Sequence, residues 1–362
     1  MRTCGTIGEP LMRADRDVIP ARVLEAYGFE LQTFERATSG LINQTWIIET
    51  KSSKRYVLQQ LHAMIGPDVT RHIQAVTQRL QQQGLCSPAL VQTAAGEYSV
   101  RVGEKSWRVL TYVPGDCFDI LPNVEYAREA GQMLARFHTA GVDWEDLICL
   151  PVSTTHDISR YLEILQTALK NNTHHEDHAK VARFADEIFS FARTLPKGIA
   201  NPPRMVHGDP KLSNVLFDPG GGAVCLVDLD TVGLMDLVWE LGDAFRSWCN
   251  PYGEDTKDTT FSLEIFEQAV YGYATIGHRF ISPEEIDGIV PAVLTIYTEL
   301  AARFCADALL ECYFGWDASQ FSSCSSHNFV RAQGQMNAAR DLLSKRTAAE
   351  QIVARVFSTT AT

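Results

Sequence analysis

The sequence predicts an α+β fold of two lobes: a small N-terminal lobe of antiparallel β-sheet and a larger, mostly helical C-terminal lobe. Three observations lead there. Residues 31–113 alternate short runs of strand spacing with polar turns and carry one inserted helix. Residues 263–355 have helical spacing almost throughout. Between these two characters, Val113-Pro114-Gly115 interrupts the chain. With 362 residues the chain is too long for one small core, so the lobes are placed at 1–113 and 114–362, with a hinge near Thr111 to Gly115.

Each element follows from local spacing. Val18 to Tyr27 reads as a short amphipathic helix, followed by strands at Leu31 to Thr38 and Thr45 to Glu49. Lys51-Ser52-Ser53-Lys54 turns the chain into a further strand, Arg55 to Gln60. Val69 to Gln83 places Val69, Ile73, Val76 and Leu80 on one helical face. Ala89 to Gln92, Glu97 to Val102 and Ser106 to Val113 are expected as three more strands. Beyond the interruption, Val124 to Thr139 carries the stripe Ala130, Met133, Leu134 and Phe137; Ile158 to Leu169 and Val181 to Thr194 are also helical. Thr173 and Glu176 have capping-box spacing, so the histidines between Thr173 and His178 read as solvated residues at a helix start and not as a metal site. Gly220-Gly221-Gly222 reads as a hairpin turn between Asn214–Phe217 and Val224–Asp228.

Composition narrows the function classes. The net charge of −12 argues against a nucleic-acid partner, whose phosphates ask for a basic face. No stretch approaches the roughly 18 uninterrupted apolar residues of a membrane span, and residues 1–17 lack the apolar core of a signal peptide. Nine scattered cysteines without a C-x-x-C pair suit a reducing cytoplasm better than a disulfide framework.

The chemistry concentrates in Met205-Val206-His207-Gly208-Asp209-Pro210-Lys211-Leu212-Ser213-Asn214-Val215-Leu216-Phe217 and in Leu226-Val227-Asp228-Leu229-Asp230. Taken singly, these are ordinary turn residues. Their combined spacing is a phosphoryl-transfer layout: one carboxylate for an incoming hydroxyl and two oxygen donors for magnesium. Asp209 is the candidate catalytic carboxylate, and Asn214 and Asp228 are the candidate metal ligands. A hairpin spanning the 228 − 209 = 19 residues between the two acids can return the second beside the first. His207 is expected to orient the loop by bonding backbone near Asp228, and Lys211 to lie near the transferring phosphate. Asp230 either tunes the metal site or caps a turn. Asp243 and Arg246, three apart on a helix, either brace the loop as a buried ion pair or form an exposed helix pair. Arg303, in an apolar helix, needs a partner: a substrate group, Asp307 or Glu311. Cys305 and Cys312 share a helical face and read as core. Tyr313, Phe314 and Trp316 either stack on a sugar ring or pack under a helix end.

The catalytic segment resembles that of the aminoglycoside phosphotransferase and choline kinase superfamily, relatives of protein kinases. The likeness runs from about residue 25 to about residue 345 and is greatest for the N-acetylhexosamine 1-kinases. Ser39 to Trp46, Tyr56 to Gln60, His207 to Asp218, Val227 to Val232, Leu241 to Arg246, Glu299 to Phe304 and His327 to Ala332 carry it. The resemblance implies a protein-kinase-like fold, ATP and Mg2+ as cofactors, and a cytoplasmic small-molecule kinase. Asp209 becomes the base-like residue, Asn214 and Asp228 the metal ligands, and Gly40 to Thr45 the loop over the nucleotide phosphates. Gly40, Asn43, Thr45, Gln59 and Lys211 are then nucleotide-binding candidates, Arg303 contacts substrate, and His207 and Asp230 are structural within the site. The acceptor it points to is a sugar, phosphorylated at the anomeric hydroxyl of an N-acetylhexosamine. An aminoglycoside, an amino alcohol, or a catalytically silent nucleotide-binding protein on the same fold are the alternatives. Many kinases place a Lys where this chain has Gln59 and Gln60, so another cation or more metal must balance the phosphates here.

Overall fold

The computed structural model describes residues 19–37, 43–62, 65–142, 151, 155–196 and 202–360. The small lobe opens with α1 (Ala21–Tyr27), which ends on Gly28 in the left-handed conformation. A five-stranded antiparallel sheet follows, formed by β1 (Leu31–Arg36), β2 (Gln44–Thr50), β3 (Arg55–Leu61), β4 (Val100–Val102) and β5 (Lys105–Thr111) in the order β1-β2-β3-β5-β4. Side-chain alternation gives the sheet two faces. Trp46, Leu58 and Val109 lie opposite one another and pack with Trp107, Ile48 and the α1 residues Val23 and Tyr27 into a small core. Thr45, Gln59 and Arg108 form the matching row on the other face.

The stretch expected as a strand at Ala89 to Gln92 makes one isolated bridge, Leu90 to Leu110. Pro88 lacks an N–H for a ladder, and a turn begins at Thr93, whose N–H bonds the Glu97 carbonyl at 2.7 Å. Likewise, Glu97 to Val102 pairs only over Val100–Val102.

Helix α2 (Pro67–Gln82) belongs to the small lobe by sequence, yet Ile73, Val76 and Leu80 join the main core of the large lobe. They meet the stripe of α3 (Val124–Ala140), in which Ala130, Met133, Leu134 and Phe137 are all buried. Next come α4 (Ile158–Asn171) and α5 (His178–Ala192). The capping box expected at Thr173 and Glu176 does not form, because a turn carrying the His178 N–H to the His175 carbonyl (3.0 Å) delays α5 to His178. The neighbouring histidines are engaged: His178 Nε2 lies 2.9 Å from the Leu169 carbonyl, and His175 Nδ1 accepts the Asp177 N–H at 3.1 Å.

Short strands β6 (Arg204–Val206), β7 (Val215–Phe217), β8 (Ala223–Leu226) and β9 (Gly233–Met235) pair as β6-β9 and β7-β8, the second hairpin turning at the expected triple glycine. The remainder is helical: α6 (Leu237–Trp248), α7 (Leu263–Gly277), α8 (Pro283–Leu310), α9 (Cys324–Ser344) and α10 (Arg346–Thr360). A Ser282–Glu285 capping box starts α8. By length and composition α8 is apolar enough to cross a membrane, but 89% of that stretch is buried among α4, α5, α6 and α9, as in a core helix. It ends at Leu310, where Asp307 accepts the N–H groups of Cys312, Tyr313 and Phe314 at 3.0, 3.0 and 2.8 Å. Cys312 therefore lies beyond the helix and is exposed, whereas Cys305 is buried as expected. All seven cysteines among the described residues are free thiols.

Candidate active site

The loop after β6 is held from three sides. The Glu240 carboxylate on α6 is fully buried and accepts the backbone N–H of His207 at 2.7 Å and of Gly208 at 2.9 Å. Trp248 Nε1 donates to the Pro210 carbonyl at 2.8 Å, and Ser247 Oγ accepts the Leu212 N–H at 3.1 Å. From the β8–β9 side, Thr231 Oγ1 donates to the His207 carbonyl at 2.9 Å. Gly208 has φ +83°, and a Cβ there would lie 2.3 Å from the Thr231 carbonyl oxygen, so only glycine fits.

His207 sits where expected: buried, with Nε2 2.9 Å from the carbonyl of Val227, the residue before Asp228. Asn214, at the end of a 3₁₀ turn (Leu212–Asn214), donates its amide to the Asp209 carbonyl at 2.8 Å and to Asp209 Oδ2 at 3.1 Å. Asp228, just after β8, adopts the left-handed conformation, φ 63°, and lies in electrostatic range of Asp230, Asp209 and Lys211. Its surface is open to solvent, but the crowding of protein around it, then the charges of Asp230 and Asp209, raise its pKa. Three carboxylates this close together ask for a cation. Lys211 supplies one, pairing with Asp209 at 2.7 Å. Burial opposes its charge, but Asp209 and then Asp228 outweigh burial and raise the ammonium pKa. Lys211 thus meets the Asp209 carboxylate directly.

Of the nucleotide candidates, Gly40 lies outside the described residues. Asn43 donates to Asp230 at 2.6 Å and accepts the His62 N–H at 3.0 Å, so its side chain ties the small lobe to the large one. Gln59 bonds Thr45 Oγ1 at 3.3 Å and accepts from Arg108 Nε at 2.8 Å. Asp230 takes both Asn43 and Arg108, whose Nη2 lies 2.6 Å from Asp230 Oδ1. Arg108 joins these candidates with no local sequence signal to mark it; its position opposite Gln59 appears only once β3 and β5 are in register.

Arg303 pairs with neither Asp307 nor Glu311. Asp307 is engaged in capping α8, and Glu311 accepts the Ser325 N–H. The Arg303 partner is Glu299, one turn back at 3.8 Å, with the guanidinium set among the rings of Tyr161, Tyr313 and Phe314. Glu299 in turn meets His156 at 3.1 Å. Burial works against a charged imidazole there, but Glu299 and then Asp243 raise the His156 pKa. Asp243 and Arg246 form the expected buried pair at 2.7 Å. Burial opposes the charge of Asp243, but Arg246 foremost, with His156 and Lys211 also in range, lowers its pKa. An electrostatic chain therefore runs from Asp209 and Lys211 through Asp243 to His156, Glu299 and Arg303. Two surface hollows of about 650 and 630 Å³, at Tyr252–Thr260 and between α4 and α5, lie away from this chain.

Among the described residues no cluster of three or more His, Cys, Asp or Glu is arranged to hold a metal. Asn214 and Asp228 fit the smaller protein share that magnesium takes when phosphate oxygens complete its shell.

The profile of the APH family, described as a phosphotransferase enzyme family, matches residues 33–271. The chain is 23% identical over 235 residues to a homoserine kinase of Polaromonas naphthalenivorans (strain CJ2), covering 64% of this chain and 70% of that protein. An amicoumacin kinase solved with AMP-PNP, Ca2+ and Ami superposes with a TM-score of 0.61 at 14% identity, covering 90% of this chain and 94% of that one. A microcompartment-associated aminopropanol kinase does so with a TM-score of 0.61 at 15% identity, covering 90% and 96%. The architecture they share with this chain is the protein-kinase-like fold. The chain belongs to the phosphotransferase enzyme family and is a small-molecule kinase, transferring phosphate to an alcohol group.

Proposed function

We propose that this kinase uses magnesium-ATP and that its acceptor is a sugar, an N-acetylhexosamine phosphorylated at the anomeric hydroxyl. The observation that carries the catalytic half is the packing of Asp209, Asn214 and Lys211 within hydrogen-bonding distance, with Asp228 in electrostatic range of Asp209 and Lys211. Asp209 Oδ2 is engaged by Lys211 and Asn214, so its other oxygen accepts the hydrogen bond of the incoming hydroxyl and orients it. Asn214 and Asp228 hold the cation, which when bound neutralises the phosphate charges. An anomeric hydroxyl is more acidic than an ordinary alcohol, so a carboxylate suffices as base.

The acceptor half rests on the group around Arg303. Glu299 Oε2 and His156 Nε2 are both buried without a hydrogen-bond partner. An oxygen that accepts and a ring nitrogen that donates or accepts suit hydroxyl or acetamido groups. Exposed Tyr313 and half-buried Tyr161 offer ring faces beside them. A second reading, a cationic amino alcohol or homoserine, is favoured by the carboxylates Glu299 and Asp243 and by the names of the relatives. Arg303 and Arg246 balance those two carboxylates, which leaves little net negative charge for an ammonium.

A radiolabelled-ATP transfer screen over free sugars, aminoglycosides, amino alcohols and homoserine tests both halves. N-acetylglucosamine or N-acetylgalactosamine should be the best acceptors, and Glu299→Gln should raise their KM. Transfer to amino alcohols or homoserine alone would refute the sugar acceptor.

A further inference from the structure

Strand β3 presents Gln59 where a cation is wanted, and its neighbour across the β3–β5 ladder is Arg108. This guanidinium is 1% exposed. Nε donates to Gln59 at 2.8 Å and Nη2 lies 2.6 Å from Asp230, two residues from Asp228. Nη1 is buried and has no hydrogen-bond partner. Arginine carries five N–H donors and stays charged, so an unmatched Nη1 is a costly thing to bury, and such orphans in native proteins call for an explanation. Thr45, Gln59 and Arg108 stand in one row on the sheet face turned toward the large lobe, and Gln59 is fixed from both sides. That row aims the guanidinium at the segment carrying Asp228 and Asp230.

We infer that Arg108 is the nucleotide's phosphate-binding cation, reaching the phosphates from β5 with Nη1 in place of a lysine on β3. Gln59 sets its orientation through Nε, and Asp230 holds it through Nη2. Asn43 grips the same Asp230 from the small lobe, so both lobes meet at one carboxylate beside the proposed phosphate site. This rests on the proposed magnesium-ATP reading of the site.

Calorimetric titration of ADP and of adenosine, with magnesium present and no acceptor, separates the possibilities. Wild type, Arg108→Gln, Arg108→Lys and Gln59→Leu are compared. Losing a charge-assisted contact should weaken ADP roughly 10- to 100-fold in Arg108→Gln while adenosine changes by less than about threefold, and Arg108→Lys should recover part of the loss. Equal weakening of ADP and adenosine, or no change in either, would overturn the inference and leave Arg108 as a strut between the lobes. If Arg108→Gln does not fold, Gln59→Leu decides: it keeps the cation and removes its anchor, so an ADP-selective loss supports the role and an unselective or absent one overturns it. A wild type that binds no ADP refutes the ATP reading itself and the role of Arg108 with it.

Discussion

Replacing Glu240 with Gln takes one acceptor away from the backbone of the catalytic loop while keeping the shape of the side chain. The Glu240 carboxylate is 0% exposed and receives the N–H groups of His207 and Gly208 at 2.7 and 2.9 Å, with His138 Nε2 3.3 Å away. A glutamine can accept one of those N–H groups; its own NH2 then confronts the other. Losing one bond to a charged acceptor removes about 1.5–3 kcal/mol, and stranding a buried N–H adds about 1–3 kcal/mol. The sum is about 2.5–6 kcal/mol, large against the marginal stability of any domain. Urea unfolding followed by tryptophan fluorescence, with the slope m checked for constancy, measures it. The same variant should lower kcat, because Gly208 directly precedes Asp209. A loss of less than about 0.5 kcal/mol with unchanged kcat would refute the view that Glu240 shapes the loop, since surface-like substitutions fall in that range.

Gly208→Ala forces a Cβ to within 2.3 Å of the Thr231 carbonyl at φ +83° and should reduce kcat more than tenfold while circular dichroism stays native-like; strain of about 1–3 kcal/mol at one backbone position is the expected order. Asp228→Asn should raise the magnesium concentration needed for half-maximal rate by roughly tenfold or more, the order expected for one charge-assisted contact. His156 titrates above its ordinary value in the folded chain despite burial, through Glu299 and then Asp243. The folded state keeps that proton longer than the unfolded one, so its stabilisation is complete below about pH 6.5 and is lost as pH rises through the folded pKa, by at most about 1.4 kcal/mol per pH unit. Urea midpoints from pH 6 to 9 should show this slope in wild type and a flatter one in His156→Gln.

The geometry of the candidate catalytic loop is legible in the sequence because its logic is local. His207, Asp209, Lys211 and Asn214 lie within eight residues, and the bonds among them span two to five positions. Asp228 could be placed beside them because a triple glycine marks the hairpin between. What escaped reading depends on register and on packing between distant segments. Arg108 is one basic residue in an alternating strand, and only the β3–β5 ladder, 49 residues apart, sets it on Gln59. His156 meets Glu299 across 143 residues, in a stretch with no periodicity of its own. The partner of Arg303 lies one turn back at Glu299 instead of one to two turns forward, because Asp307 is needed to satisfy the open end of α8. Strand ends failed for a related reason: Ala89 to Gln92 has the right residues, but Pro88 and the turn at Thr93 leave room for one bridge.

Asp209→Asn tests the central claim most directly, since it removes the carboxylate's charge while leaving a side chain of the same shape beside Lys211 and Asn214. Phosphate transfer from ATP to the best acceptor should fall by about 10²–10⁴-fold while magnesium-ADP affinity stays within a few-fold of wild type. Transfer at the wild-type rate would contradict the assignment of Asp209 as the carboxylate that receives the acceptor hydroxyl.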